Sequence, residues 1–132
     1  MASEMAENPR PGAILVVDDD PVLRSALALI LEGEGHEVIE AADGPSAIEA
    51  AHKRRPDLLL VDYVMVGMNG AMLLDQMRAQ LQGGAPPAVL LTSGEERFER
   101  TGGVCGLEKP FNVPELLDVV QRHLEQTRRD AS

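Results

Sequence analysis

The sequence is poor in cysteine, in aromatic residues and in positive charge, and each shortage excludes a class of protein. One cysteine in 132 residues cannot form an intrachain disulfide, which excludes a disulfide-stapled scaffold. Tryptophan is absent and only one tyrosine and two phenylalanines are present, so nucleic-acid bases would find no stacking platform. The 22 acidic residues outnumber the 12 basic ones, and the net charge of −10 opposes binding to phosphate backbones or anionic lipid.

Long hydrophobic runs are also missing, because no apolar stretch approaches the ~18 residues of a membrane span. The N-terminus has no basic segment followed by an apolar one, so no secretion signal is predicted. We therefore expect a cytoplasmic protein that binds neither nucleic acid nor membrane. With 132 residues, of which 44% are hydrophobic, the chain has room for one domain around one core. We assign residues 1–12 to a flexible leader, residues 13–127 to the domain and residues 128–132 to a C-terminal tail.

Short apolar segments alternate along the chain with longer segments of helical periodicity, which is typical of parallel strands joined by helices. The predicted strands are Ala13–Val17, Glu37–Ala41, Asp57–Val61, Ala88–Thr92 and Val104–Glu108. The predicted helices are Pro21–Gly33, Pro45–Arg54, Ala71–Leu81 and Val113–Gln126. This alternation predicts an open parallel α/β sheet.

The connection between the fourth and fifth strands is too short for the helix that the alternation requires. Residues 93–103 would have to hold a helix of ~11–12 residues together with two connections of ~2–6 residues each. Phe98 is the one apolar residue between Gly94 and Gly103, which is too little to bury a helix face. We expect the fourth helix of the fold to be reduced or absent.

Polar residues follow or end four of the five predicted strands. They are Asp18, Asp19 and Asp20 after the first strand, Asp62 after the third, Thr92 at the end of the fourth and Lys109 after the fifth. Ligands of open parallel sheets gather beyond the carboxyl ends of the strands. Any one of these residues alone would be an ordinary loop residue, but together they predict a functional site.

The residue types at this edge indicate phosphoryl chemistry with a divalent cation. Converging carboxylates repel one another and suit Mg²⁺, which prefers oxygen ligands. A lysine and a hydroxyl beside them can neutralise and bind the oxygens of an incoming phosphoryl group. Asp62 stands alone at the end of a central apolar strand and is the best candidate nucleophile. The adjacent Asp18 and Asp19 are better placed as metal ligands.

Four short motifs stand at these strand ends. They are ILVVDDDP at residues 14–21, VDYVM at 61–65, LLTS at 90–93 and KPF at 109–111. In this order and placement they resemble the receiver domain of bacterial two-component response regulators. The resemblance covers about residues 13–126. It implies a flavodoxin-like, doubly wound sheet of five parallel strands in the order 2-1-3-4-5.

The resemblance also implies roles for individual residues. Asp62 would accept a phosphoryl group from a phosphohistidine on a sensor histidine kinase or a histidine phosphotransfer protein. The implied ligands of Mg²⁺ are Asp18, Asp19, Asp62 and the backbone carbonyl of Val64, and the implied phosphoryl contacts are Thr92 and Lys109. Pro110 would follow a cis peptide bond, and Asp20 would cap the next helix. Such a switch assists its own phosphorylation and slow dephosphorylation, and it signals to an unknown downstream protein by conformational change.

The sequence departs from this family at several positions. Val66 replaces a usual proline, and Gly106 stands where typical receivers carry the Tyr or Phe that moves with the threonine. Val64 and Gly94, two residues beyond Asp62 and Thr92, cannot orient a water molecule, which predicts slow loss of the phosphoryl group.

Two alternatives stay open on the sequence alone. A phosphohydrolase of the haloacid-dehalogenase type also uses an aspartate nucleophile with Mg²⁺ and lysine, and Asp18 and Asp20 imitate its Asp-x-Asp motif. Pro21 follows at once, however, and the chain has no cap domain. The second alternative is a degenerate receiver that acts as a scaffold independent of phosphorylation.

Overall fold

The structure is a computed structural model that describes residues 12–98 and 103–131, with side chains described as far as residue 126. Within these ranges the chain forms five strands and four helices. The strands are β1 (Ala13–Val17), β2 (Glu37–Ala41), β3 (Leu58–Asp62), β4 (Ala88–Thr92) and β5 (Val104–Glu108). The helices are α1 (Pro21–Gly33), α2 (Gly44–Lys53), α3 (Gly70–Gln80) and α4 (Val113–Ala131).

The five strands form one parallel sheet in the order β2-β1-β3-β4-β5, so the predicted flavodoxin-like topology is confirmed. Every residue of β1, β3 and β4 is buried, because helices cover both faces of these central strands. Leu59 lies in the core layer that contains α2 and α3, whereas Leu60 lies in the layer that contains α1 and α4. No helix in the described ranges is long and apolar enough to cross a membrane.

The observed element bounds differ from the predicted ones at a few ends. β3 begins and ends one residue later than predicted, so Asp62 is its last residue. α2 and α3 each begin one residue early because Asp43 and Asn69 cap them, accepting hydrogen bonds from the amides of Ser46 and Met72 at 2.8 Å. The predicted end of the last helix is wrong, since α4 continues to Ala131 with no proline or glycine after its first turn to stop it.

The predicted terminal segments are described only in part. Residues 1–11 of the predicted leader and residue 132 lie outside the described residues. Residues 128–131, assigned above to a tail, are helical. The limits of the functional unit therefore stay a prediction.

The segment between β4 and β5 contains neither helix nor strand in its described residues, 93–98 and 103, and residues 99–102 lie outside the description. In the described part the expected loss of the fourth helix is thus confirmed. Phe98, the apolar residue of this segment, packs against the core layer of α2 and α3, where its ring lies 6.1 Å from that of Tyr63. In the described part of this segment, the Phe98 side chain therefore packs on the core layer without a helix.

Candidate functional site

The predicted site residues lie together at the carboxyl edge of the sheet. Asp18 directly follows β1, Asp62 ends β3, Thr92 ends β4 and Lys109 directly follows β5. Asp18 is completely buried, and Asp62 and Thr92 expose only 8% and 5% of their surface. Polar side chains buried at a strand end require partners or a ligand.

Three carboxylates form the centre of this edge. Asp18, Asp19 and Asp62 each place one oxygen within 4.8 Å of the other two. The Nζ of Lys109 donates to Oδ1 of Asp62 at 3.2 Å, which sets one cation against three negative charges. The Lys109–Pro110 peptide bond is cis. The cluster keeps an uncompensated negative charge, which favours a bound cation.

Asp18 shows the need for a ligand most clearly. Its Oδ1 accepts a hydrogen bond from the Asp20 amide at 2.9 Å, whereas its Oδ2 is buried and has no hydrogen-bond partner among the described residues. Burial raises the pKa of Asp18; the bond from Asp20 opposes this rise, and the negative charge of Asp62 adds to it. A buried carboxylate oxygen without a partner, beside two further carboxylates, fits a divalent cation.

Asp19 and Asp62 hold the loop that follows β3. Val66 donates its backbone amide to Oδ2 of Asp19 at 2.9 Å, and Val64 donates its amide to Oδ1 of Asp62 at 3.3 Å. Val66, where the resemblance implies a proline, therefore supplies a hydrogen bond that a proline could not donate. The Val64 carbonyl stays a predicted metal ligand.

Asp20, the third acid of the triplet, points elsewhere. Its Oδ1 accepts from the amides of Val22 at 3.0 Å and Leu23 at 3.4 Å, so it caps α1. Its carboxylate does not belong to the cluster of Asp18, Asp19 and Asp62. The hydrolase alternative would need the Asp20 carboxylate beside that of Asp18, so this arrangement disfavours it.

Thr92 and Lys109 are held side by side. The backbone amide of Lys109 donates to the Thr92 carbonyl at 2.7 Å, which continues the β4–β5 ladder beyond β5. Asp62 pairs in register with Leu91, so Thr92 lies one residue further along the neighbouring strand. The Lys109 ammonium thus contacts the Asp62 carboxylate, and Thr92 ends the strand beside it.

Sequence reasoning did not single out two residues that contact this edge. Arg24 of α1 donates to the backbone carbonyl of Asp18 at 2.8 Å, and Tyr63 donates its hydroxyl to the carbonyl of Arg97 at 3.3 Å. Arg24 stands in the second turn of the helix that the acidic triplet begins, and Tyr63 directly follows Asp62. Proximity in sequence to the acids was the available signal, but it does not specify these contacts.

Comparison with known proteins decides the family. Residues 14–121 match the family model described as the response regulator receiver domain. The chain belongs to the receiver domain family of response regulators. Receiver domains act in two-component systems as phosphoacceptor switches, interact with histidine kinases or phosphotransfer proteins, and generally use Mg²⁺ at their acidic pocket.

Curated relatives of different lengths match this chain. The DNA-binding response regulator MtrA of Mycolicibacterium smegmatis is 37% identical over 121 residues, which are 86% of this chain and 50% of MtrA. Protein PilH of Pseudomonas aeruginosa is 32% identical over 112 residues, 81% of this chain and 93% of PilH. The chain spans about half the length of the first curated relatives that it matches.

A solved structure agrees with the fold. The chemotaxis response regulator CheY4 of Vibrio cholerae is 33% identical, with a TM-score of 0.75 over 86% of this chain and 99% of CheY4. The receiver fold is therefore shared even though the described residues between β4 and β5 form no helix.

Proposed function

We propose that this receiver domain accepts a phosphoryl group on Asp62 from a phosphohistidine, in a Mg²⁺-dependent reaction. The observation that carries the proposal is the convergence of three carboxylates next to the ammonium of Lys109. One of them, Asp18, has a buried oxygen that no described residue contacts by a hydrogen bond. Asp18, Asp19, Asp62 and the Val64 carbonyl would hold the ion. When bound, Mg²⁺ would neutralise phosphoryl oxygens and offset the repulsion among the acids.

The chemistry requires an ionised nucleophile with one oxygen available for attack. Both hydrogen bonds that described residues donate to the Asp62 side chain end on Oδ1, which leaves Oδ2 for the phosphorus. An O–P bond forms at Oδ2 while the P–N bond to the histidine breaks, and the departing imidazole nitrogen keeps the electron pair. The product is an acyl phosphate on Asp62.

Lys109 and Thr92 would receive the new charge. The Lys109 ammonium already contacts Asp62 and would shift its donors to phosphoryl oxygens as negative charge accumulates there. The Thr92 hydroxyl would donate to another of these oxygens. The rearranged contacts at the ends of β4 and β5 would change the surface that a downstream protein contacts, and this is the proposed signal.

We further propose that residues 13–127 form the functional unit, that it works in the cytoplasm, and that it binds neither nucleic acid nor membrane by itself. The net charge of −10 supports the last point, because phosphate-rich surfaces repel such a domain.

Acetyl phosphate with Mg²⁺ tests the proposal against both alternatives. We expect one phosphoryl group retained per chain in the wild type and none in Asp62→Asn. Steady phosphate release from a small phosphoester without a retained group would indicate the hydrolase. Failure to label Asp62 while a partner still binds would indicate the scaffold.

A further inference from the structure

We propose that Arg24 and Glu40 form a clamp that positions the Asp18 carboxylate for the cation. This inference rests on the proposed function, since it concerns how the chain builds the Mg²⁺ site. Among the described contacts, Arg24 reaches the backbone carbonyl of Asp18 but none of the three carboxylates of the cluster. It would therefore act on the ion only by positioning Asp18, as a positioning residue.

Arg24 joins α1, the β1–α1 turn and β2. Its Nη1 donates to the backbone carbonyl of Asp18 at 2.8 Å, and its Nε donates to Oε1 of Glu40 at 3.2 Å. The Arg24 side chain is only 18% exposed, although Pro21 and Val22 in the same helix turn are exposed. The rigid fork of a guanidinium can make both bonds at once, which a lysine cannot reproduce.

The clamp completes the fixation of Asp18. The Asp18 amide donates to the carbonyl of Ala41 at 3.2 Å, its carbonyl accepts from Arg24, and its Oδ1 accepts from the amide of Asp20. Every other polar atom of Asp18 is thus held, while its buried Oδ2 has no partner in the part of the chain that the structure describes. A single unsatisfied oxygen on an otherwise fixed residue is what a preorganised metal ligand requires.

A second ion pair on the same strand shows what an ordinary surface contact looks like. Arg54 pairs with Glu37 at the other end of β2, and their side chains are 55% and 53% exposed. Among the described contacts, the Arg54 guanidinium reaches only that carboxylate and no backbone carbonyl of the site. Arg54 therefore provides a matched control for Arg24, since both are arginines paired with a β2 glutamate.

The test is a Mg²⁺ titration of the full chain. Binding is monitored through the amide resonances of Val64 and Val66 in nitrogen-15 spectra. These amides donate to Asp62 and Asp19, so they report the ion directly and without any phosphoryl transfer. Loss of a residue that orients a metal ligand typically weakens affinity 10- to 100-fold, and we expect about a tenfold loss for Arg24→Gln. Arg24→Lys and Glu40→Gln should show smaller losses, and Arg54→Gln should match the wild type.

A double variant separates positioning from general damage. If Arg24 acts through Asp18, Arg24→Gln should change the affinity by less than about twofold in an Asp18→Asn background. The melting temperature of each variant checks its folding, and Glu40→Gln probes the clamp should Arg24→Gln not fold.

Three results would overturn the clamp. The first is wild-type Mg²⁺ affinity in Arg24→Gln, or in Glu40→Gln where that variant replaces it. The second is a tenfold loss of affinity from Arg24→Gln in the Asp18→Asn background as well, and the third is a tenfold loss in Arg54→Gln. In each of these the wild type still binds Mg²⁺, so the proposed function survives. If Mg²⁺ shifts no wild-type resonance, the metal part of the proposed function fails and the clamp fails with it.

Discussion

The half of the sheet around β1 and β3 and the half around β4 and β5 are covered to different degrees. On the first half, helices cover both faces, and the acids at the strand ends are fixed by backbone and side-chain hydrogen bonds. On the second half, β5 carries Gly106, and the described residues of the connection before it form no helix. Under the proposed function, the contrast separates two tasks: the phosphoryl group would be received at well-fixed strand ends, whereas relay of the signal would depend on what packs over β4 and β5.

On the face of the sheet that carries α2 and α3, the connection between β4 and β5 contributes Phe98 to the packing. The Phe98 ring meets Tyr63, which directly follows Asp62, and it lines a shallow pocket with Leu74, Leu90 and Arg78. Ser93 holds the start of the same segment through hydrogen bonds from its amide and hydroxyl to the Glu96 carboxylate. The described part of the β4–β5 connection therefore relies on a few local contacts, whereas β4 itself packs against α3 on one face and α4 on the other.

Stability measurements give the largest expected difference between the halves. Leu60 is completely buried in β3, and Leu60→Ala should lower the free energy of unfolding by about 3 kcal/mol through lost contacts and a cavity. Phe98→Ala should cost only about 1 kcal/mol, because a side chain on a weakly docked segment contributes no more than the docking free energy of that segment. Urea unfolding of both variants checks this, and equal losses would remove the proposed contrast.

Asp18→Asn tests how much the buried charge of Asp18 lowers the stability of the first half. The pKa of Asp18 is raised in the folded protein, so wild-type stability without Mg²⁺ falls as the pH rises through that pKa. At neutral pH, Asp18→Asn should therefore raise the free energy of unfolding by about 1 kcal/mol, and it should remove this pH dependence. The exposed Asp118→Asn serves as the control, with little change expected.

In Mg²⁺ the wild type should become more stable than Asp18→Asn. Ligand binding stabilises the folded state, and the variant, which lacks one ligand carboxylate, gains less of this stabilisation. Thermal unfolding with and without Mg²⁺ measures both effects. A less stable Asp18→Asn in Mg²⁺-free buffer at neutral pH would contradict the electrostatic account of the first half.

The two positions that bear on phosphoryl lifetime lie in different halves. Val64 is 64% exposed, so Val64→Asn adds an amide that can orient water, and we expect phosphoryl loss to become several-fold faster. Gly94 is less open to change, because its φ of +95° disfavours other residues and a Cβ there would meet the Glu108 carboxylate. Decay of the phosphorylated form after donor removal gives the rate. A wild-type lifetime of seconds, unchanged by Val64→Asn, would refute the prediction.

The smallest expected effect concerns the contact that joins the halves. Tyr63→Phe removes the hydroxyl that donates to the Arg97 carbonyl but keeps the ring on Phe98, so the stability loss should be about 0.5 kcal/mol. Amide hydrogen exchange should accelerate in residues 93–98 and stay unchanged in β1. Acceleration throughout the sheet would show that the segment is not a separate, weakly docked unit.

Local patterns in the sequence predicted most of the fold. Continuous apolar runs place β1 and β4 at their observed bounds, and Pro21 with Gly33 bounds α1 as predicted. Several errors are at helix ends that depend on capping or on a missing stop signal, such as Asn69 before α3 and the extension of α4. The predicted β3 is also displaced by one residue. The short interval at 93–103 also predicted the lost helix, because chain length limits what a connection can contain.

The placement of the site residues was predictable because parallel strands bring their carboxyl ends to one edge. The contacts that hold the acids were not, since they depend on side chains that meet only after folding. Arg24 reaches Asp18 and Glu40 across three elements, and no periodicity in the sequence indicates that contact. The unpartnered Oδ2 of Asp18 is likewise a result of three-dimensional packing.

Phosphoryl transfer to Asp62 from phosphoramidate, whose P–N bond resembles that of phosphohistidine, tests the central claim most directly. Intact-mass measurement should find one added phosphoryl group on the wild type in Mg²⁺, none on the wild type with a chelator and none on Asp62→Asn. Equal labelling of the wild type and Asp62→Asn would contradict the account, because the phosphoryl group would then reside on another residue.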